Sequence, residues 1–130
     1  MSSAAALDGF STATRAWFEG AFAVPTQAQA QAWRAIGWVG PGGQKKDALV
    51  IAPTGSGKTL AAFLWAIDRL AATPPPADRK QRCRVLYVSP LKALAVDIER
   101  NLRSPLTGIG QAARRLGQRS EEHTSELQSL

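Results

Sequence analysis

The chain has 130 residues and a formal net charge of +6, from 16 Lys and Arg against 10 Asp and Glu. Its length suits about one domain, and the single Cys83 excludes an internal disulfide framework and a cysteine-based zinc site. No apolar run is long enough to span a membrane and residues 1–20 lack a signal-peptide pattern, so we expect a cytoplasmic protein without a membrane partner.

Helices are predicted ahead of the first strand, after nine residues that we expect to be disordered (1–9). Apolar spacing predicts one helix over Ser11–Phe22 and a second that begins at Thr26. Thr26 and Gln29 fit a capping box, in which Gln29 would satisfy a backbone N–H. A Gln amide can also pair with the N6 and N7 edge of adenine, so both roles stay open for Gln29.

A phosphate-binding loop is predicted at Ala52–Thr59, which reads Ala-Pro-Thr-Gly-Ser-Gly-Lys-Thr and follows Ala48–Ala52, a run typical of a buried strand. Its glycines allow successive N–H groups to face phosphate oxygens. Lys58 is expected to reach the β- and γ-phosphates, and the Thr59 hydroxyl to hold Mg²⁺. The predicted nucleotide-binding residues are Gln29, Thr54, Gly55, Ser56, Gly57, Lys58 and Thr59.

A helix is predicted over Thr59–Ala72, and an exposed proline-rich loop over Thr73–Arg82. A second strand follows at Arg84–Ser89, then a helix over Leu91–Leu102 and, more weakly, another over Gly110–Leu116. This order predicts α/β winding with parallel strands. Two strands cannot bury both faces of such a sheet, which needs roughly five. We therefore expect the front part of a larger protein.

The end of the second strand is a candidate phosphate contact. Backbone N–H groups, Ser89 and Lys92 could hold a nucleic-acid phosphate there. An ordinary strand-to-helix turn with a solvated Lys92 is the alternative.

Composition changes abruptly after Gln118. Arg119–Ser129 reads Arg-Ser-Glu-Glu-His-Thr-Ser-Glu-Leu-Gln-Ser, the in-frame translation of a widely used DNA-sequencing adapter, and we interpret residues 119–130 as a non-native tail without regular structure. Residues 1–118 alone hold 15 Lys and Arg against 7 Asp and Glu, a net charge of +8. That balance suits a polyanionic partner, with a solvated basic surface as an equal alternative.

Together the motifs resemble those of the superfamily 2 helicases. Pro25–Gln29 is similar to the Q motif, Ala52–Thr59 to motif I with Ala52 in place of the usual first Gly, and Ser89–Leu94 to motif Ia. Longer runs resemble the large helicase-related (Lhr) group of these DEAD/DEAH-type helicases; they are Arg15–Phe22, Leu60–Arg69 and Tyr87–Leu102.

The resemblance implies an incomplete N-terminal RecA-like (P-loop NTPase) domain over residues 10–118, α/β in class, with parallel strands and preceding helices. It implies an ATP-dependent helicase, with ATP and Mg²⁺ as cofactors, that moves 3′ to 5′. Its implied partners are single-stranded DNA or RNA and DNA or RNA–DNA duplexes. Gln29 would read adenine, and Ser89, Pro90 and Lys92 would lie along the nucleic-acid strand. The family's Asp-Glu-x-His box does not occur in the sequence, so no catalytic residue is assigned.

Two alternatives stand beside the helicase interpretation. The chain on its own could be a non-catalytic nucleotide-binding or unfolded fragment, because an incomplete sheet leaves strand edges unpaired and an apolar face uncovered. Another phosphate-loop translocase would share motif I, but it should not reproduce the run Tyr87–Leu102.

Overall fold

Helices form the regular structure of the described residues, which in this computed structural model are 3–53 and 55–128, with side chains for 5–53 and 55–117. They are α1 (Ser3–Ala6), α2 (Thr12–Ala21), α3 (Gln27–Ile36), α4 (Lys58–Ala72) and α5 (Lys92–Gln128). Short 3₁₀ turns lie at Pro41–Gly43 and Arg79–Gln81.

Side chains cap the starts of α2 and α3, as the sequence predicted for α3. Ser11 Oγ accepts the N–H of Thr14 at the start of α2. Thr26 and Gln29 form both halves of a capping box at the start of α3. These bonds satisfy N–H groups that have no partner inside the helix. The predicted helices over Ser11–Phe22 and from Thr26 are thereby confirmed.

The longest helix, α5, has 37 residues and joins the two helices predicted after the second strand. It continues through Pro105, although proline in a helix interior removes one N–H donor. The proposed adapter tail was expected to lack regular structure, but α5 extends to Gln128. Residues 129 and 130 lie outside the described residues.

The hydrophobic core lies where α3 and α4 pack together, and it extends to α1, α2 and α5. Trp33 on α3 is its central aromatic ring, edge-on to Phe10 at 5.0 Å and to Phe18 at 5.7 Å between centroids. Its indole N–H donates to the carbonyl of Leu60 at 3.1 Å. Because Leu60 belongs to the first turn of α4, Trp33 ties together the helices on either side of the phosphate loop.

A buried carboxyl group joins the C-terminal half of α4 to the start of α2. Asp68 is fully buried, and its Oδ1 accepts from the Ser11 N–H at 3.1 Å and from the Ser11 and Thr14 hydroxyls, each at 2.6 Å. Arg69 Nη2 donates to the carbonyl of Gly9 at 2.7 Å. The segment before α2 is thus held against α4 by polar contacts as well as by packing.

The predicted strands Ala48–Ala52 and Arg84–Ser89 do not form ladders in the described part of the chain. Leu49 and Ile51 are 85% and 86% exposed. The physical reason is that a strand takes its backbone hydrogen bonds from neighbouring strands, and neither segment has one here. The prediction of parallel strands is therefore wrong for this structure, whose described elements are helical.

The amino-terminal segment also differs from its prediction. Residues 1–9 were expected to be disordered, but Ser3–Ala6 form α1 and Leu7 is buried in the core. Met1 and Ser2 lie outside the described residues. The apolar run at residues 4–7 is too short to show a helical periodicity, so packing against the rest of the protein decides its structure. No described helix is both long and apolar enough to cross a membrane.

Candidate nucleotide-binding site

The phosphate loop, residues 52–59, adopts a tight turn that only glycine accommodates easily. Gly55 has φ +86° and Gly57 has φ +78°, both in the left-handed region. Ser56 closes the turn, since its N–H and its hydroxyl both bond to the carbonyl of Pro53, at 3.3 and 2.6 Å. Thr54, a predicted site residue, lies outside the described residues.

The start of α4 is a candidate anion-binding site, because its first turn lacks a side-chain cap. Gly57 is the N-cap residue and offers no side chain to the N–H groups of the first turn. That turn carries no acidic residue, and it holds Lys58, which is exposed, and the half-buried Thr59. The unpaired N–H groups and the positive end of the helix dipole favour a negatively charged group at this position.

Two side chains of the Q motif bond to carbonyl groups of the phosphate loop. The Thr26 hydroxyl donates to the Ser56 carbonyl at 2.6 Å, and Gln29 Nε2 donates to the Gly57 carbonyl at 3.2 Å. In a trans peptide the C=O and the following N–H point in opposite directions. Because these two hydrogen bonds hold the carbonyls towards α3, the N–H groups of Gly57 and Lys58 point away from α3. We call these two bonds the loop brace.

Gln29 uses both ends of its amide within the protein. Its Oε1 accepts the Thr26 N–H at 3.0 Å while Nε2 donates to the Gly57 carbonyl, and the residue is 4% exposed. The capping role left open by the sequence is confirmed. Adenine recognition stays a prediction, for which the second amide hydrogen and the second lone pair of Oε1 remain.

Sequence reasoning missed Thr26 as a site residue and missed the loop brace. The only signal was the Thr26-x-x-Gln29 spacing, which indicated a helix cap but not a contact about thirty residues further on. Gly57 also belongs to this contact, because a Cβ placed there would overlap the Gln29 amide. The glycine therefore provides space as well as its backbone conformation.

The motif Ia residues lie at the start of α5. Lys92 is the first residue of this helix and is exposed with Pro90, while Ser89 is half-buried and its hydroxyl donates to the carbonyl of Leu91 at 3.3 Å. No hydrogen bond or ion pair among the described residues joins this segment to the phosphate loop. The structure thus brings Gln29 together with the loop but leaves Ser89, Pro90 and Lys92 as a separate surface.

A metal ion would find few protein ligands at this site. In the described ranges, no group of three or more His, Cys, Asp or Glu side chains could hold a metal. The Thr59 hydroxyl is the candidate ligand within the loop. Such a donor set fits an ion carried largely by phosphate oxygens and water, as Mg²⁺ is in nucleotide sites.

Comparison with known proteins agrees with these motifs. Residues 26–129 match the family model of the DEAD/DEAH box helicases. An Lhr helicase/probable uracil glycosylase of Mycolicibacterium smegmatis is 63% identical over 111 residues, 85% of this chain and 7% of the relative. The Lhr helicase/uracil glycosylase of Escherichia coli is 49% identical over 115 residues, again 85% of this chain and 7% of the relative.

A solved structure shows the same relationship. The Mycobacterium smegmatis helicase Lhr bound to ssDNA and AMP-PNP superposes with a TM-score of 0.71 at 61% identity, covering 86% of this chain and 13% of that one. This chain thus spans 7% of the length of these two curated relatives. Family and structural match together imply a RecA-like fold for the region. The chain belongs to the DEAD/DEAH box helicases and is homologous to the Lhr helicases.

Proposed function

We propose that this chain binds ATP at the phosphate loop and forms the ATP-binding part of a helicase that moves 3′ to 5′ on nucleic acid. The observation that carries the proposal is the uncapped start of α4, placed directly after two left-handed glycines and beside exposed Lys58. These features present N–H donors and a cation to one volume, as binding of a triphosphate requires.

In this proposal each residue of the site has a distinct role. Lys58 neutralises the β- and γ-phosphates, and the N–H groups of Gly55, Gly57 and Lys58 bond to phosphate oxygens, while the Ser56 N–H closes the turn on the Pro53 carbonyl. Thr26 and Gln29 hold the loop in this orientation before the nucleotide arrives, which lowers the entropy lost on binding. Gln29 can in addition recognise the adenine edge with its remaining hydrogen-bonding capacity.

The Thr59 hydroxyl would hold Mg²⁺ in this site. When bound, the ion neutralises phosphate charge and orients the transferred phosphoryl group. The residues present fit an ion that arrives with the nucleotide, since those that the structure describes supply a hydroxyl ligand and no carboxylate cage.

Nucleic acid is proposed to bind at the start of α5. Lys92 and the adjoining N–H groups can hold a phosphate of a single strand, with Ser89 and Pro90 shaping the turn. The related structure, which is bound to ssDNA, supports this class of partner. Single-stranded RNA and DNA or RNA–DNA duplexes belong to the same proposal.

A second candidate function concerns the chain by itself. No carboxylate bonds to the phosphate loop in the described part of the chain. In the extended segment that precedes the loop, Leu49 and Ile51 are exposed. The chain alone would then bind nucleotide without hydrolysing it. ATP hydrolysis would belong to longer proteins that carry the Asp-Glu-x-His box.

The test is ATP binding by calorimetry to the 130-residue chain and to its Lys58→Ala variant, with Lys45→Ala as a control that removes one exposed charge elsewhere. Loss of a charged hydrogen bond predicts roughly tenfold or greater weakening for Lys58→Ala. The control should bind as the original chain does. Equal affinity in the Lys58 variant would remove the assignment of the phosphate loop.

A further inference from the structure

A basic loop connects α4 to the second extended segment, and the function proposed above does not use it. It spans residues 73–84, where every described residue except the half-buried Pro76 is exposed. Four of its last six residues carry a positive charge: Arg79, Lys80, Arg82 and Arg84. Their shared sign and exposure make this the densest run of cations in the sequence.

The charges of the basic loop are poorly neutralised. Its one acidic residue, Asp78, directs Oδ1 to the backbone N–H of Lys80 at 3.0 Å and so caps the 3₁₀ turn. Among the described residues, the ion pairs within 4.0 Å join Arg69 to Asp68 and Arg103 to Glu99. The basic residues of α5 are therefore partly compensated on their own helix, whereas those of the basic loop are not.

The basic loop is also ordered by its own contacts. Arg82 Nε donates to the carbonyl of Pro76 at 3.0 Å, and backbone bonds at 3.1 and 3.3 Å close the 3₁₀ turn from Asp78 to Arg82. Three consecutive prolines, Pro74 to Pro76, restrict the chain before it. The Arg82 bond uses one of five guanidinium N–H donors, so four remain for a ligand.

The position of the basic loop separates it from the predicted nucleic-acid surface. α4 starts at the phosphate loop with Lys58 and ends at Ala72, where the basic loop begins. Its 15 residues make it about 22 Å long. The Tyr87 ring packs on Phe63 of α4 at 5.2 Å, so the segment between the basic loop and Lys92 contacts the amino-terminal half of α4. The basic loop adjoins the carboxyl-terminal end of α4, and this segment separates it along the chain from the start of α5.

We propose that the basic loop binds the phosphate backbone of nucleic acid as a second contact, separate from the start of α5. Four unpaired cations on an ordered loop suit sequence-independent phosphate binding, in which each neutralised phosphate releases condensed counterions. The choice of nucleic acid as the polyanion rests on the proposed function. An acidic protein segment would have the same charge but is an outcome of the test.

The experiment measures fluorescence anisotropy of a labelled 20-nucleotide oligothymidylate with the 130-residue chain over a range of salt concentrations. The test variant combines Arg79→Gln, Lys80→Gln, Arg82→Gln and Arg84→Gln. A matched control with the same loss of charge combines Arg100→Gln, Arg103→Gln, Arg114→Gln and Arg115→Gln on α5. A charge-preserving variant changes Arg79, Arg82 and Arg84 to Lys, and Lys92→Gln tests the surface at the start of α5.

The slope of the logarithm of the association constant against the logarithm of salt concentration is negative. In the test variant its magnitude should fall by about 2 to 3, since each lost phosphate contact on a single strand contributes roughly 0.7. The lysine variant should keep the original slope, and the α5 control should change it less. An unchanged slope in the test variant overturns the proposal and leaves an acidic protein partner or a solvated surface. An equal effect of both glutamine sets also overturns it, because net charge alone would then explain the loss.

Failure of the proposed function gives a different result. If Lys92→Gln leaves the slope unchanged while the basic-loop variant lowers it, the second contact stands and the assignment of the α5 surface fails. If Lys92→Gln lowers the slope and the basic-loop variant does not, the assignment of the α5 surface stands and the second contact fails.

Discussion

The Thr26 hydroxyl donates to the carbonyl oxygen of Ser56 at 2.6 Å, joining residues 30 positions apart. One turn further along α3, the Gln29 amide donates to the carbonyl of Gly57. Consecutive carbonyls of the phosphate loop are thus held by one helix, and the N–H groups of the same peptides point to the opposite side. The Q motif therefore sets the direction in which the loop presents its N–H groups.

Thr26→Val should weaken both the protein and its nucleotide site. Valine has nearly the same shape but lacks the hydroxyl that caps α3 and bonds to Ser56. Loss of the cap and of one further hydrogen bond predicts about 1–3 kcal/mol of lost stability. Thermal unfolding by circular dichroism and ATP calorimetry would measure the two effects. Thr26→Ser keeps the hydroxyl and should stay close to the original, so equal effects of Val and Ser would refute the role of the bond.

Gln29→Ala distinguishes the loop brace from adenine recognition. If Gln29 acts only through Thr26 and Gly57, its loss should weaken ATP and GTP binding by the same factor. If it also reads the adenine edge, the ratio of ATP to GTP affinity should fall towards one. Calorimetry with both nucleotides provides the ratio. We expect a lower ratio together with a loss of stability of about 1 kcal/mol.

The local part of this site could be predicted from the sequence, and the long-range part could not. The Thr26-x-x-Gln29 spacing defines a capping box because both partners lie within one helical turn. The glycines of Ala52–Thr59 indicate a turn for the same local reason. The contact from Gln29 to Gly57 depends on how α3 packs against α4, which no local pattern specifies.

The same distinction between local and long-range features applies to the fold. Helices α2, α3 and α4 satisfy their own backbone hydrogen bonds, and their amphipathic patterns predicted them. The segment Ala48–Ala52 has the composition of a buried strand, but a strand depends on partners elsewhere in the chain. Leu7 shows the converse case, since a residue expected to be disordered is buried by packing against other helices.

Gly57→Ala should be more damaging than a substitution at another glycine with the same backbone angle. Gly42 and Gly57 both have φ +78°, and a Cβ on Gly42 would meet nothing within 4 Å. Gly42→Ala should therefore lose only the left-handed preference, about 1–2 kcal/mol. Gly57→Ala adds an overlap with the Gln29 amide and should also weaken ATP binding.

Combining Gly57→Ala with Gln29→Ala checks the cause of that difference. Removing the Gln29 amide should relieve the overlap, so the double variant should lose less stability than the two single losses added together. Urea denaturation of the four proteins completes the cycle. Strict additivity would show that the overlap with Gln29 contributes nothing to the effect at Gly57.

Asp68→Ala should destabilise the chain at a site remote from the nucleotide. Asp68 Oδ1 accepts from the N–H and hydroxyl of Ser11 and from the hydroxyl of Thr14, so its removal leaves buried donors without an acceptor. Unsatisfied buried groups predict a loss of roughly 3 kcal/mol. Asp68→Asn retains an oxygen at the same position and should lose less. Asp78→Ala removes an exposed cap and should change the urea midpoint only slightly, so a comparable loss there would contradict this account.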